Sequence, residues 1–402
     1  MEDAKLLARA AARHRSAMVR FARDLIAIPS FSREEGAVVK RVAAEMRKAG
    51  FDSVRVDLMG NVVGTLGHGR TKVMMDAHLD TVRVNDPGSW RWDPFKGKPS
   101  SRTIYGRGAA DQKLAMVSMV YAARLIKDLG LEDDYTYWAV GSCQEEESEG
   151  LGLDHLIRKE GLRPDFVVIT EPTHLAVYRG QRGRVQMKVT AAGRSSHASV
   201  PEQGVNAVVR MADVIREIPE LNARLRRAGK GTIAVTKVDC RTASLNAVPD
   251  ECTIILDRRL VDGETLTKAL AEARALKSVR RRHAVVEVLE YKALSWKGLS
   301  VGQREYYPAW RLADGHRLMR AALQAAETAL GRKPRTGGWR FSTNGVATAG
   351  RLGIPTVGFG PGDEFLAHTA RERMPVDQLL KAAVFYAILP RLLSRQARHF
   401  SP

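Results

Sequence analysis

The feature that most constrains the fold is an apolar stretch that ends in a polar pair. Residues 73–79 read Val-Met-Met-Asp-Ala-His-Leu, and Asp80 follows two positions after His78. A short apolar run of this kind is typical of a central strand in a sheet that is covered on both faces. In open α/β sheets the ligand crevice lies outside the carboxyl ends of such strands. The stretch therefore predicts a buried strand with a polar site at its end.

The same arrangement recurs, because three further apolar segments precede potential metal ligands: 135–140 precedes Glu145 and Glu146, 166–169 precedes Glu171, and 354–359 precedes His368. A glycine-containing turn at 106–110 brings Asp111 to the start of a helix. Imidazoles and carboxylates in these numbers suit two divalent ions that share a bridging carboxylate. Next to the candidate ligands, Asp80 can orient the ring of His78 or ligate beside it.

The net charge raises the question of a nucleic-acid partner. The chain has 64 Lys and Arg against 45 Asp and Glu, a formal charge of +19. The densest basic clusters, at 224–230 and 277–282, contain none of the interleaved aromatic residues that stack on single-stranded bases. We therefore expect a solvated basic face and no nucleic-acid partner. Such a face can steer anionic substrates towards the site, but the sequence does not decide whether the charge has that role.

The cysteines and the apolar segments exclude several other classes. The three cysteines are widely spaced and form no CxxC pair, so neither a disulfide framework nor a thiolate zinc site is indicated. No apolar stretch approaches the roughly 18 residues of a membrane span. Charged residues interrupt any secretory signal near the start of the chain. These features predict a cytoplasmic protein that has no membrane partner.

The 402 residues exceed one ordinary core, so two domains are expected. Between about 180 and 294 the pattern changes to a β-α-β-β-α-β order, which is the ferredoxin-like unit. The predicted fold class is α/β: a mixed, mainly parallel sheet covered by helices, with an inserted ferredoxin-like βαββαβ domain. The predicted boundaries are 1–179 and 295–402 for the metal-binding domain and 180–294 for the inserted domain.

Alternative catalytic signatures are missing from the sequence. The glycine-rich turn before Asp111 lacks the third glycine and the preceding strand of a dinucleotide-binding motif. Neither a P-loop nor a GxSxG nucleophile elbow occurs. Nucleotide chemistry and serine-hydrolase chemistry therefore lack their usual support.

Five short motifs together resemble the M20 family of di-zinc amidohydrolases, and they lie at 78–80, 106–111, 145–146, 171–173 and 367–369. That family includes acetylornithine deacetylase, succinyl-diaminopimelate desuccinylase, glutamate carboxypeptidase and aminoacylase. The resemblance covers nearly the whole chain, including the inserted domain. Residues 178–184 and 341–345 are most similar to the branch called YgeY-like, selenium-metabolism-linked hydrolases.

The resemblance implies a division of the metal ligands between two ions. Asp111 would bridge them, with His78 and Glu171 completing one site and Glu146 and His368 the other. The ions would be Zn²⁺, with Co²⁺ or Mn²⁺ as alternatives.

The resemblance also implies roles for five further residues. Glu145 would be the general base, beside Asp80 in the catalytic machinery, and His197 would stabilise the oxyanion. Asn246 and Arg259 would hold a carboxylate of the substrate. Paired inserted domains would form a homodimer in which His197 reaches the partner's active site.

The expected reaction is hydrolysis of an amide bond in a small N-acyl amino acid or dipeptide-like substrate. A metallopeptidase, whether an aminopeptidase, carboxypeptidase or dipeptidase, remains the alternative. A third possibility is an inactive basic binding protein on the same fold, but it would have no need of an intact ligand set. Two positions bear on these choices: Gln144 stands where many relatives have Asp, and Glu171, in place of Asp, resembles the deacylases.

Overall fold

The computed structural model describes residues 2–98 and 100–398. Within these residues the α-helices are α1 (Glu2–Arg13), α2 (Arg15–Ala27), α3 (Gly36–Ala49), α4 (Ala115–Asp128), α5 (Leu151–Arg158), α6 (Ala207–Arg227), α7 (Leu266–Arg274), α8 (Lys277–Arg281), α9 (Arg317–Leu330) and α10 (Val376–Arg398). A π-helical turn spans Val346–Arg351.

The strands are β1 (Ser53–Val56), β2 (Val62–Leu66), β3 (Thr71–His78), β4 (Thr103–Tyr105), β5 (Tyr135–Ser142), β6 (Phe166–Ile169), β7 (Val177–Gln181), β8 (Gly183–Ala192), β9 (Ile233–Arg241), β10 (Glu251–Leu260), β11 (Val285–Val288), β12 (Glu290–Leu294), β13 (Ser300–Arg304), β14 (Tyr306–Tyr307), β15 (Trp310–Arg311), β16 (Thr336–Trp339), β17 (Thr356–Gly358) and β18 (Arg373–Pro375).

The large sheet has the order β1-β2-β5-β3-β6-β17-β7-β15, and β16 pairs with β7. Its central strands are parallel, because β3 pairs in parallel with β5 and β6, and β17 pairs in parallel with β6. Antiparallel pairs flank this centre on both sides. The predicted mixed α/β sheet is confirmed.

Helices cover both faces of the large sheet. Successive side chains of a strand point to opposite faces, and Met75 accordingly packs into the core of α4 and α10. Its neighbour Met74 packs into the second core, which includes Leu153 and Leu156 of α5. Because neither face meets solvent, the central strands can be apolar throughout, and the polar residues fall at their ends.

The second sheet has the order β11-β8-β10-β9, and β14 pairs with β8. Every second residue of β10 is buried, and Ile254 and Leu256 share a core with Met211 and Val214 of α6. The chain order of these elements is the predicted β-α-β-β-α-β, with the short helix α8 added between α7 and β11. Tyr306 still pairs with β8, so the boundary at 294 stays a prediction.

One helix differs from its prediction. The apolar spacing over residues 5–26 predicts one helix, but α1 and α2 are separated at His14. The Nε2 atom of His14 lies 2.6 Å from Oδ2 of Asp128 at the end of α4. Periodicity does not reveal a contact between residues so distant in sequence.

None of the helices in the described residues is long and apolar enough to cross a membrane, and the cytoplasmic location stays a prediction.

Candidate metal centre

The candidate ligands meet at one edge of the large sheet. His78 is the last residue of β3, Glu145 and Glu146 follow β5, and Glu171 follows β6. The carboxyl ends of parallel neighbours lie at the same edge, which is why separate sequence motifs converge there. His368 lies in the loop after β17, the fourth strand of this parallel group.

Asp111 lies between the two histidines. Its Oδ1 is 3.0 Å from Nε2 of His78, and its Oδ2 is 3.2 Å from Nε2 of His368. Glu171 Oε1 lies 3.6 Å from His78 Nε2, and Glu146 Oε2 lies 3.0 Å from His368 Nε2. Asp111 thus presents one carboxylate oxygen to each histidine. Among the described residues of this centre, the ligand atoms that lie within 4.8 Å of one another are those of His78, Asp111 and Glu146 and those of His78, Glu145 and Glu171. The division of the ligands between two ions stays a prediction.

The charges of this cluster fit divalent cations. Burial, and then the negative charge of Asp111, raise the pKa of Glu146 and of Glu171. Hydrogen bonds to Asp111 and Glu146 raise the pKa of His368 to about 10. Crowded buried carboxylates need nearby positive charge, and two imidazoles with three carboxylates are suitable ligands for two such ions.

Glu145 lies beside His78, on the side of the site that includes Glu171. Its Oε2 atom is 3.8 Å from Nε2 of His78, and its side chain is buried. Burial raises the pKa of Glu145 well above its usual range, although the nearby His78 lowers it in part. Glu145 and the candidate ligand Glu146 line one cavity, so these consecutive residues face the same space.

Asp80 supports the site in a way that differs in part from its prediction. The backbone carbonyl of Asp80 lies 2.9 Å from Nδ1 of His78, whereas its carboxylate is 3.6 Å away. That carboxylate instead accepts hydrogen bonds from the backbone N–H groups of Glu145 and Glu146 and from the hydroxyl of Ser32. Asp80 therefore positions the two glutamates as well as the histidine ring.

Sequence reasoning missed Glu372, which holds the loop of Asp111. Its carboxylate pairs with Arg107 and accepts the backbone N–H groups of Gly108, Ala110 and Asp111. Burial raises the pKa of Glu372 to about 7. The only sequence signal is its position four residues after His368, and that alone does not identify a partner 261 residues from Asp111.

Asn344, which belongs to the segment 341–345 that resembles the YgeY-like branch, links the carboxyl ends of β3 and β5. Its amide nitrogen donates to Oδ2 of Asp76 and to the hydroxyl of Ser142, and its oxygen accepts from Gly150 N. Burial raises the pKa of Asp76 to about 6. Asn344 thus joins β3 to the end of β5 and to the loop that carries Glu145.

The candidate ligands open onto a cavity of about 290 Å³. Arg259 lines it, as expected of a residue that binds substrate, and its guanidinium forms a two-pronged pair with Asp257 at 2.7 and 3.2 Å. Arg184 also lines the cavity, although the sequence predicts no role for it. Its Nη2 atom lies 2.7 Å from Oε2 of Glu149.

The remaining two predicted residues lie outside this cavity. His197 and Asn246 are exposed on adjacent loops of the inserted domain, where Asn246 O accepts a hydrogen bond from Ala198 N. Nδ1 of His197 lies 2.7 Å from the hydroxyl of Ser199. Neither side chain lines the cavity of the metal centre.

A second group with ligand-type atoms consists of Asp57, His155 and Glu160. Asp57 already accepts hydrogen bonds from Gly60 and Asn61, and Glu160 pairs with a neighbouring arginine. Those contacts satisfy both carboxylates without an ion, so we assign no metal to this group.

Comparison with known proteins agrees with the geometry. The chain is 45% identical over 389 residues to the protein YgeY of Escherichia coli strain K12, covering 96% of each chain. It is 26% identical to succinyl-diaminopimelate desuccinylase of Dinoroseobacter shibae over 385 residues, which are 92% of this chain and 97% of the relative.

A solved structure shares the fold. The YXEP protein of Bacillus subtilis, described as a dinuclear metal binding peptidase, superposes with a TM-score of 0.69 at 15% identity, covering 95% of this chain and 99% of the other. The sequence model of peptidase family M20/M25/M40 matches residues 74–391 of this chain. The predicted resemblance is confirmed, and the chain belongs to peptidase family M20/M25/M40.

Proposed function

We propose that the protein is a two-metal hydrolase that cleaves the amide bond of a small N-acyl amino acid or dipeptide-like substrate. The observation that carries this proposal is Asp111, whose two carboxylate oxygens face two different histidines. A carboxylate so placed can bridge two ions. The description of the Bacillus subtilis relative as a dinuclear metal binding peptidase supports this assignment.

We assign His78, Asp111 and Glu171 to one ion, and Glu146, His368 and the same Asp111 to the other. Nitrogen and oxygen ligands of this kind suit Zn²⁺, and Co²⁺ or Mn²⁺ are alternatives. Two ions held by these residues would supply Lewis acidity, which would polarise a carbonyl and lower the pKa of a water to about 7.

Glu145 performs the proton transfers in this proposal. Its carboxylate lines the cavity beside the ligands, so it can accept a proton from the attacking water and return that proton to the leaving amine. Asp80 keeps Glu145 in place, because its Oδ1 atom accepts a hydrogen bond of 3.1 Å from the backbone N–H of Glu145. Proton transfer and metal binding are thereby divided between adjacent residues.

The cavity supports a small substrate. A volume of about 290 Å³ lies at the lower limit for ligand pockets, and Arg259 offers a guanidinium group to a substrate carboxylate. The desuccinylase among the relatives favours a deacylase, as does Glu171 in place of Asp. Hydrolysis of peptides is the alternative, supported by the peptidase description of the Bacillus subtilis protein.

We further propose a homodimer that forms through the inserted domain. The side chain of His197 is exposed and lies outside the cavity of its own chain, so a role at an oxyanion requires closure of the domain or a second subunit. Exposed apolar side chains on the same domain, Val209, Val238 and Leu245, offer a surface for that contact.

A hydrolysis screen tests the proposal. N-acyl amino acids and dipeptides would be incubated with the protein loaded with Zn²⁺ or Co²⁺, and released amine would be measured. We expect turnover of one class that disappears with a chelator and in Glu145→Ala. If no amide is cleaved, and salt-dependent binding to random oligonucleotides is found instead, the protein is a basic binding protein on this fold.

A further inference from the structure

We propose that Tyr291 and Gln303 are positioning residues for the glutamates of the metal centre. They lie opposite each other in the hairpin of β12 and β13, which leads from the inserted domain back to the large sheet. From this hairpin they hold the segment 144–149, which contains Glu145 and Glu146. The catalytic part of this inference rests on the proposed function.

The hairpin is a separate element between the two sheets. β12 and β13 pair with each other in a two-stranded sheet of their own. Half-buried and exposed residues alternate along both strands, so one face of the hairpin is packed and the other meets solvent. Directly opposed residues of an antiparallel pair share a face. Tyr291 and Gln303 are both half-buried, so their side chains lie together on the packed face.

Tyr291 joins the two residues that flank Glu145 and Glu146. Its hydroxyl oxygen lies 2.8 Å from Nε2 of Gln144 and 2.5 Å from Oε2 of Glu147. A phenol has one proton and a carboxylate can only accept, so the hydroxyl donates to Glu147 and accepts from the amide of Gln144. Burial, and then the bond to Glu147, raise the pKa of Tyr291, so the hydroxyl keeps its proton at neutral pH.

Gln303 holds the end of the same segment. Its Nε2 donates to the hydroxyl oxygen of Ser148 at 2.6 Å and to the backbone carbonyl of Glu149 at 2.9 Å. Its Oε1 accepts from Nη1 of Arg351 at 2.7 Å. Both ends of the amide are therefore engaged, and the side chain has one fixed orientation.

The hairpin is itself anchored at its tip and at its base. At the tip, Nε1 of Trp296 donates to the backbone carbonyl of Gly60 at 3.3 Å. At the base, the backbone N–H of Leu289 donates to the carbonyl of Gln186, in β8 of the inserted domain, at 3.0 Å. A support that is fixed at both ends can hold the glutamate segment in one place.

The hairpin adds to the constraint that Asp80 provides. Asp80 accepts the backbone N–H groups of Glu145 and Glu146, whereas Tyr291 holds the side chains on either side of them. A displacement of about 1 Å at a catalytic group can lower the rate by about 10²-fold. We therefore expect Tyr291→Phe to lower kcat by about 10–10²-fold, with KM and metal content unchanged, because the bonds to Asp80 remain.

Hydrogen exchange tests the restraint without relying on turnover. It is measured by mass spectrometry on the metal-loaded, full-length protein. The amides of 144–149 should exchange about tenfold faster in Tyr291→Phe and in Gln303→Met, because bonds that restrain the segment are lost. Tyr306→Phe is the matched control. It removes the hydroxyl of a half-buried tyrosine in β14 that bonds to the backbone of Leu266, so exchange at 144–149 and kcat should match wild type.

A second comparison separates positioning from general destabilisation. In Glu145→Ala the base is already absent, so adding Tyr291→Phe should leave the residual rate unchanged if the lost bonds act through that base. A purely structural role would lower the residual rate by the same factor as in wild type.

The outcomes distinguish this inference from the proposed function. The inference is overturned if either Tyr291→Phe or Gln303→Met exchanges at 144–149 no faster than Tyr306→Phe. It is also overturned if Tyr291→Phe lowers the rate equally with and without Glu145. In both cases hydrolysis by wild type leaves the proposed function standing. If wild type cleaves no amide, the proposed function fails, and the exchange rates alone decide whether the hairpin positions the segment.

Discussion

The metal centre and the loops of the inserted domain hold their candidate catalytic residues very differently. At the metal centre the carboxylates of Asp80 and Glu372 are buried, and each accepts several hydrogen bonds that fix neighbouring loops. On the inserted domain His197 and Asn246 are exposed. Among the described residues, the side chain of His197 forms hydrogen bonds only with Ser199, two residues away.

This difference indicates a division of labour. Metal ligands must be held within a fraction of an ångström, and a network of buried hydrogen bonds provides that constraint. A group that acts only after the substrate has bound can sit on a surface that becomes ordered on closure or on contact with a partner. Substitutions in the two regions should therefore fail differently, the first by losing metal and the second by losing rate alone.

The largest effect is expected for Asp111→Ala. Loss of the shared carboxylate should weaken both ion sites, because each depends on one of its oxygens. We expect catalysis to fall by roughly 10⁶-fold, the lower end of enzymatic rate enhancement. Metal content measured after gel filtration should fall well below that of wild type.

Asp239→Ala is the control for Asp111→Ala, because Asp239 is an exposed aspartate of β9 remote from the metal ligands. It should retain metal and activity. Two tightly bound ions in Asp111→Ala would show that the carboxylate does not bridge.

Glu145→Ala should separate rate from metal binding within the centre itself. Both ions should remain, while kcat should fall by about 10²–10⁴-fold, the usual contribution of a general base. The neighbouring variant Glu146→Ala serves as comparison, because it should lose metal as well. Near wild-type kcat in Glu145→Ala with metal in place would assign the base to another residue.

His197→Ala tests the other region. Metal content should be unchanged, and kcat should fall by about 10²–10³-fold if the ring donates to the oxyanion. Mixing inactive Glu145→Ala and His197→Ala subunits should restore activity, since one site of each mixed dimer then holds an intact base and an intact histidine. A verified mixed dimer without activity would contradict sharing between subunits, and a fully active monomer would remove the idea.

The convergence of the candidate ligands could be predicted from the sequence, because each candidate follows a strand or turn with a strong local signature; their binding of metal stays a prediction. The parallel strands then bring those ends together by a general rule of α/β sheets. Apolar periodicity was similarly sufficient for the sheet and for the order of elements in the inserted domain.

The supporting residues could not be predicted, because their signals are not local. Glu372 and Asn344 bind backbone or side-chain groups 261 and 268 residues away. The break at His14 also depends on a distant partner, Asp128. Alternation and spacing carry no information on such contacts, which depend on tertiary packing.

The smallest effect concerns Glu35, a buried carboxylate beneath the metal centre. Its Oε1 accepts the backbone N–H of Gln144 at 3.0 Å, while Oε2 is buried without a hydrogen-bond partner among the described residues. Burial, and then the charge of Asp80, raise the pKa of Glu35 from 4.5 to about 8. The folded protein therefore favours the protonated acid, and this contribution to stability is lost as pH rises from about 4.5 through about 8.

Glu35→Gln cannot ionise and can still accept the bond from Gln144. The free energy of unfolding of Glu35→Gln, relative to wild type, should thus rise between pH 5.5 and pH 9 by about 1–3 kcal/mol. Denaturant titration of the metal-loaded proteins at the two pH values measures it. The adjacent Glu34→Gln removes an exposed carboxylate that pairs with Arg83 at the surface, and its difference from wild type should stay flat. Equal pH responses of the two variants would show that the carboxyl of Glu35 is hydrated. Water would then reach the hydrogen-bond network around Asp80 that holds the candidate ligands.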